Sequence, residues 1–349
     1  MAMTSRQRIL TALRHEAPDR VPVSPFGLGH LDPKGAVARQ LIARTDPFLT
    51  AGLGGNPFMG SGLRAESRRE GNDTVTVIHT AAGPLTQRHR RTEVTSAQVE
   101  FPCKTAADVE AYLAIPFEPA HPDAGAFLAR RREIGEEALV LADLGDAICL
   151  PATILSPGDM CLLWMDAPDL LRHVCAVAAG RLNAYVEEAC RQGVDGFRIV
   201  GGEYATEQLG PTGYDALVKA FDTELVAIMH RYGAVAYYHN HGDVDRFLEG
   251  LADLGIDALD PLEVPPYGNV DLADASRRIG GRVCLVGGLD DMEVLETRGG
   301  AEVREMGRRC IELAGPASYC LGGTASGTYT EAAARNFIAL VEVAEEAAR

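Results

Sequence analysis

From about Ala138 onward, short apolar runs alternate with longer segments of helical period, and this alternation constrains the fold more than any other feature of the chain. The runs are ALVLADLG (138–145), GFRIVGG (196–202), AVAYYH (234–239), DALDPLE (257–263), RVCLVGG (282–288) and SYCLGG (318–323). Between them lie amphipathic stretches such as GYDALVKAFDTELVAIMHRYG and AEVREMGRRCIELAG, and TEAAARNFIALVEVAEEAAR closes the chain. Most of these stretches stop at a glycine (Gly193, Gly233, Gly255, Gly280 or Gly315), the residue favoured just past a helix end. Strands that are apolar throughout and separated by helices call for a parallel sheet covered on both faces.

Such a sheet is either open and doubly wound or closed. No GxGxxG follows an early strand, so a dinucleotide-binding unit has no support. The expectation is a (β/α)8 TIM barrel, with DRVPVSP (19–25) as first strand after the helix SRQRILTALRHE. The stretch GNDTVTVIHTAAGPLTQRHRRTEV alternates on both sides of Ala81-Ala82-Gly83-Pro84 and predicts an inserted N-terminal β-hairpin over about 72–92. FPCKTAADVEAYLAIPFEP then reads as a short capped helix. A barrel with insertions accommodates 349 residues as one domain, 1–349.

Charge and cysteine usage narrow the function classes. Acidic residues outnumber basic ones by 49 to 33, and neither RQRILTALRHEAPDR nor Arg130 to Arg132 makes a basic patch, so nucleic acid is not an expected partner. No apolar run approaches the ~20 residues of a membrane helix, and MAMTSRQRIL lacks the apolar core of a secretion signal. The eight cysteines are scattered without a CxxC pair, which reads as reduced thiols in a cytoplasmic chain.

In a barrel of this kind, chemistry sits at the C-terminal ends of the strands. The candidates there are Asp143, Asp146, Glu203, His239, His241, Glu263, Asp290, Asp291, Thr324 and Ser326. His239 and His241, two apart at a strand end, share one face and can bind a single zinc or similar ion, with a carboxylate from a neighbouring strand completing the site. The competing reading starts the next helix at Gly242-Asp243, with Asp243 as its N-cap. Glu203 and Glu263 each follow a buried strand, where an ionised carboxylate needs a partner; metal ligation and acid–base work compete with a salt bridge under a loop. Asp290 is a further catalytic candidate, although Asp-Asp before MEVLETRG also makes a good helix cap. His30 and His79 are secondary candidates for the pocket mouth, and Tyr238, Tyr267 and Tyr329 for its wall.

The opening TSRQRILTALRHEAPDRVPV, the HTAAGPLT turn, HNHGDVDRFLEGLADLGIDALDPLE, RRIGGRVCLVGGLD and AARNFIALVEVA together resemble the uroporphyrinogen decarboxylase superfamily, in its corrinoid-dependent methyltransferase branch. The resemblance spans essentially the whole chain and implies a TIM barrel. True decarboxylases of the superfamily carry arginines soon after the first strand to hold substrate carboxylates; here PVSPFGLGHLDP has none between Arg20 and Arg39. The methyltransferases bind zinc through an H-x-C motif and a later cysteine. His239 matches the histidine, His241 replaces the motif cysteine, Ala325 stands at the later position, and Cys320 falls about five residues too early.

Imidazole and carboxylate in place of thiolates harden the site toward oxygen or nitrogen substrates. The resulting expectation is a metal-dependent methyltransferase or demethylase that uses His239, His241 and Glu203 as ligands and Glu263 and Asp290 in catalysis. It would move a methyl group between a small molecule and a corrinoid on a partner protein. The alternative is a metal-dependent decarboxylase or lyase acting on a small carboxylic acid. A homodimer is compatible with either.

Overall fold

The computed structural model describes residues 2–93, 95–324 and 327–349. In chain order the strands are β1 (Phe48–Ala51), β2 (Ala65–Glu70), β3 (Asp73–Thr80), β4 (Gly83–Arg91), β5 (Ser96–Glu100), β6 (Leu139–Gly145), β7 (Gly196–Val200), β8 (Val235–His239), β9 (Ala258–Asp260), β10 (Cys284–Gly288) and β11 (Tyr319–Gly322). One parallel sheet runs β1-β6-β7-β8-β9-β10-β11, so spatial order follows chain order, as βα repetition demands. Among the described residues no helix is long and apolar enough to cross a membrane.

The two edges of this sheet meet through residues 21–26. Ser24 N donates to Leu321 O (2.7 Å) and Leu321 N to Pro22 O (2.9 Å) on one side; Asp46 N donates to Val23 O (2.7 Å) and Phe48 N to Pro25 O (3.0 Å) on the other. Val23 thereby pairs with Leu321, and Phe26 with Phe48, and the sheet curls into a TIM-barrel-like form. The expected first strand over 19–25 is therefore reduced to isolated bridges, because Pro22 and Pro25 lack the N–H a regular ladder needs. Sequence reading passes over β1, whose four residues carry too short a pattern to register.

Side chains along each strand alternate between two packed environments. Leu139, Leu141, Tyr237, Ala258, Cys284, Val286 and Cys320 meet inside the barrel. Val140, Ala142, Ala236, Tyr238, Leu259, Leu285 and Leu321 point outward to the helices. Ile9, Ala12 and Leu13, from the helix Ser5–Leu13, join the inner cluster and seal the end where the strands begin. Positive φ at Gly193, Gly233 and Gly255 marks helix ends as expected, whereas Gly280 and Gly315 keep negative φ.

The stretch read as a hairpin over about 72–92 lies within a four-stranded antiparallel sheet of order β2-β3-β4-β5. The helix Ala106–Leu113 follows, opened by a capping box in which the Thr105 side chain accepts from Asp108 N.

Asp46 holds the seam of the barrel. Fully buried, it accepts from Arg8 Nη1 (2.6 Å), Arg20 Nη1 (2.6 Å) and Val23 N (3.0 Å). Asp46→Ala removes the common anion from two arginines whose side chains are 9% and 10% exposed. Urea unfolding should show a loss of about 3–5 kcal/mol, the cost of breaking a buried ion pair from one side. A loss under about 1 kcal/mol, the size of a surface pair, would deny Asp46 this role.

Candidate functional site

β8 delivers His239 to the inner face at the strand end, where its Cα partner in β9 is Asp260. His239 Nδ1 lies 3.0 Å from Asp260 Oδ1, and both groups are almost wholly buried. Two residues on, His241 Nδ1 lies 3.0 Å from Glu263 Oε1, while Glu263 Oε2 accepts from Gly242 N at 2.8 Å. The two rings stand edge to face, with centroids 4.4 Å apart. His239 is buried, whereas the His241 side chain is 41% exposed, so the pair spans the step from barrel interior to solvent. The hydrogen bond to Glu263 raises the pKa of His241, with burial opposing it. Neither Nε2 has a hydrogen-bond partner among the described residues.

Asn240, between the histidines, faces the other way and is fully buried. Its Nδ2 donates to Thr206 Oγ1 (3.1 Å) and His241 O (3.0 Å). The loop after β7 packs against this outer side so closely that a Cβ at Gly202 would collide with Asn240 Oδ1 and the Tyr238 hydroxyl. The competing reading of Gly242-Asp243 as a helix start does not hold: the next helical turn begins at Asp245 after Val244, and Asp243 N donates to Glu207 Oε1 (2.7 Å).

Behind the histidines, on the outer face, a second polar cluster is sealed from solvent. The Tyr238 hydroxyl lies 2.9 Å from Asp222 Oδ2 and 3.2 Å from Asp146 Oδ2. Asp146 Oδ1 has no donor among the described residues. Burial pushes Asp222 up to about 7. Burial, followed by the charges of Asp222 and Glu203, pushes Asp146 well above the usual carboxylate range. Two carboxyl groups that share one phenol in a dry site favour retention of one carboxyl proton, although the Cys149 thiol and the Ala147 amide partly offset the burial.

Other expected residues are dispersed. The Glu203 carboxylate accepts from Gly201 N (3.2 Å), and the described residues bring no three His, Cys, Asp or Glu side chains into one ligating cluster. Asp290 Oδ1 accepts from Met292 N (2.8 Å) and Glu293 N (2.6 Å), a helical cap. Asp143 pairs with Arg198, and Thr324 Oγ1 lies 3.4 Å from Asp291 N. His30 is exposed, and His79 stands 3.4 Å from Glu66 on the antiparallel sheet. Tyr329 is buried with its hydroxyl on Gly27 O, and the half-exposed Tyr267 donates to Glu293. Cys320 lies inside β11, buried with its Sγ 3.8 Å from Cys284 Sγ. Ala325 and Ser326 lie outside the described residues.

The sequence profile for uroporphyrinogen decarboxylase (URO-D) matches residues 71–347. The chain belongs to the URO-D family. Among solved structures, this URO-D member is similar to a methyltransferase from Methanosarcina mazei, with a TM-score of 0.65 at 15% identity over 99% of both chains. A B12-independent methionine synthase from Shewanella sp. W3-18-1, in complex with selenomethionine, aligns at a TM-score of 0.45 and 10% identity, over 94% of this chain and 97% of that one. No curated protein sequence matches.

Sequence reasoning misses three groups in this URO-D chain: Asp260, Asp222 and Arg198. Asp222 leaves a trace, since it occupies the apolar stripe of its helix together with Leu225, Val226 and Met229, where a carboxylate has no business unless partnered. The carboxyl pair makes a pH prediction. A carboxyl pKa raised by folding contributes stability that is complete below the unfolded value and lost as pH rises through the folded one. The window here runs from about 4 in the unfolded chain to about 7 for Asp222 in the folded one. Within it, stability falls by up to about 1.4 kcal/mol per pH unit for each proton retained. Asp222→Asn should flatten the thermal midpoint against pH across that window; a profile parallel to wild type would refute proton retention by the pair.

Proposed function

We propose that this URO-D family member moves a methyl group between a small substrate and a corrinoid carried by a separate protein, aided by a divalent cation such as zinc held by His239 and His241. Two imidazoles on one rim, each with its Nδ1 committed to its own carboxylate, carry this reading. A proton donated from Nδ1 leaves the ring's lone pair on Nε2, and a histidine so oriented is the usual form of a metal ligand. The residues therefore fit a cation through two donors. Glu203, just past the end of the neighbouring strand β7, is proposed as the third, which requires its carboxylate to leave Gly201 N. Water and substrate would fill the remaining positions.

A cation bound there would supply Lewis-acid stabilisation of negative charge on the substrate heteroatom. The protein's own groups do the rest. Asp260 and Glu263 fix the ring tautomers and orientations, so Glu263, expected from strand position to be catalytic, acts by holding His241 and Gly242 N. Asp290, fixed by two backbone donors at the same rim, is proposed to position the substrate. The fold proposed for this chemistry is a (β/α)8 barrel with residues 21–26 as the eighth stave and the antiparallel strands as its insertion. The methyltransferase neighbour, alike in fold, is consistent with this. A metal-dependent decarboxylase or lyase would use the same pair of rings.

Elemental analysis of the zinc-loaded chain should find about one ion per molecule, and the His239→Ala/His241→Ala double variant should find none. Glu263→Gln should weaken zinc affinity about 10–100-fold, as loss of an outer carboxylate does elsewhere. Methylation of added cobalamin, kept in its cob(I) form by a chemical reductant and supplied with a methoxy compound as methyl donor, should fall in the same order when followed by absorbance. Equal metal content in wild type and double variant overturns the site. Carbon dioxide release without cobalamin methylation moves the assignment to the lyase.

A further inference from the structure

The mouth of the barrel contains a cation that the chemistry above does not use. Arg198 lies in β7 with Asp143 of β6 and Tyr237 of β8 as its Cα partners, and Val200, two residues on, partners His239. Its neighbours Phe197 and Ile199 pack outward against the helices, so by alternation Arg198 projects into the barrel on the same side as His239. There its guanidinium lies 4.6 Å over the ring of Phe26, which packs against Tyr237.

The guanidinium is poorly satisfied for a side chain only 16% exposed. Among the described residues its one hydrogen bond runs from Nη1 to Asp143 Oδ1 at 3.2 Å, and its buried Nε has no partner. Asp143 is itself nearly half exposed, and a pair of that kind stabilises little. A buried donor left unmade costs more than such a pair returns, so the ion pair alone does not offset the placement. The contact with Phe26 adds attraction but satisfies no N–H. The Tyr237 hydroxyl makes no well-formed hydrogen bond among the described residues, and the charges of both Asp260, the partner of His239, and Arg198 act on it. The cation thus lies one strand over from His239 and two residues deeper in the barrel, with a planar fork of donors of which one is engaged among the described residues.

We propose that Arg198 anchors a carboxylate borne by the substrate, so that the molecule acted on at the histidines is a small methyl-bearing acid. An arginine fork matches a carboxylate's two oxygens with parallel N–H bonds and fixes orientation as well as position. Asp143 competes for the same nitrogen and keeps the free site from attracting anions indiscriminately. This assignment rests on the reading of the barrel mouth as the substrate site, and it supplies from β7 the positive charge that the segment between Arg20 and Arg39 lacks.

Isothermal titration of the full chain, with and without zinc, tests it. The probes are methoxyacetate and 4-methoxybenzoate, each beside its neutral alcohol, 2-methoxyethanol and 4-methoxybenzyl alcohol, together with inorganic phosphate. Wild type should bind the acids in preference to the alcohols. Arg198→Met should lose at least about tenfold in acid affinity, worth roughly 1.4 kcal/mol, with alcohol binding unchanged. Arg198→Lys should retain part of the preference, and Asp143→Asn, which frees the guanidinium, should tighten acid binding. Circular dichroism and thermal midpoints confirm that each variant is folded. Equal binding of acid and alcohol by wild type, undiminished acid binding by Arg198→Met, or no saturable binding of any acid overturns the anchor. Phosphate bound more tightly than the acids, and lost with Arg198, overturns the carboxylate assignment. Zinc content of the same variants separates the two proposals: a wild type that binds acids through Arg198 but takes up no zinc leaves the anchor standing and removes the metal.

Discussion

Parallel pairing of short strands, each showing one face to helices and the other to the barrel interior, is the constraint on which everything else depends. It allows polar side chains on the inner face only toward the strand end, because lower down they would meet Leu139, Leu141, Ala258 and Cys284. His239 and Asp260 end their strands, and Arg198 and Asp143 lie two residues short of the ends of theirs, one layer deeper. Register does the rest: pairing β8 with β9 sets His239 opposite Asp260, and pairing β7 with β6 sets Arg198 opposite Asp143. A slip of one residue in either pair would exchange these contacts for apolar ones.

The same geometry treats acids in three ways. Asp260 and Glu263 face imidazoles and are satisfied by them. Asp46 faces two arginines and a backbone N–H at the seam. Asp146 faces Asp222, with the Tyr238 hydroxyl between, so a proton must stand in for the missing cation. Because Tyr238 and His239 are consecutive, this carboxyl pair and the rim histidine sit on opposite sides of one backbone. The position of β8 is therefore set from behind by the carboxyl pair and from in front by Asp260.

Local pattern made the repeating βα units legible in the sequence, because each strand between Leu139 and Gly322 is long enough, or apolar enough, to stand out from its helix. It also made the histidine pair legible, since two polar rings at the end of AVAYY break that pattern abruptly. Pairing partners were not legible. Phe48–Ala51 gains its identity from Leu139 to Ala142, far along the chain, and residues 21–26 are staves only because Leu321 and Phe48 flank them. Likewise Asp260 becomes the partner of His239 through register, and Arg198 becomes an interior cation only once its neighbours are seen to face the helices. Glu263 was found by position, with ligation, acid–base work and a salt bridge all open to it; its contacts with an imidazole and an amide come from the fold.

The helix Ser5–Leu13 stoppers one end of the barrel with Ile9, Ala12 and Leu13. With that end filled, the histidines open toward the opposite rim, where the edge of His241 is exposed to solvent.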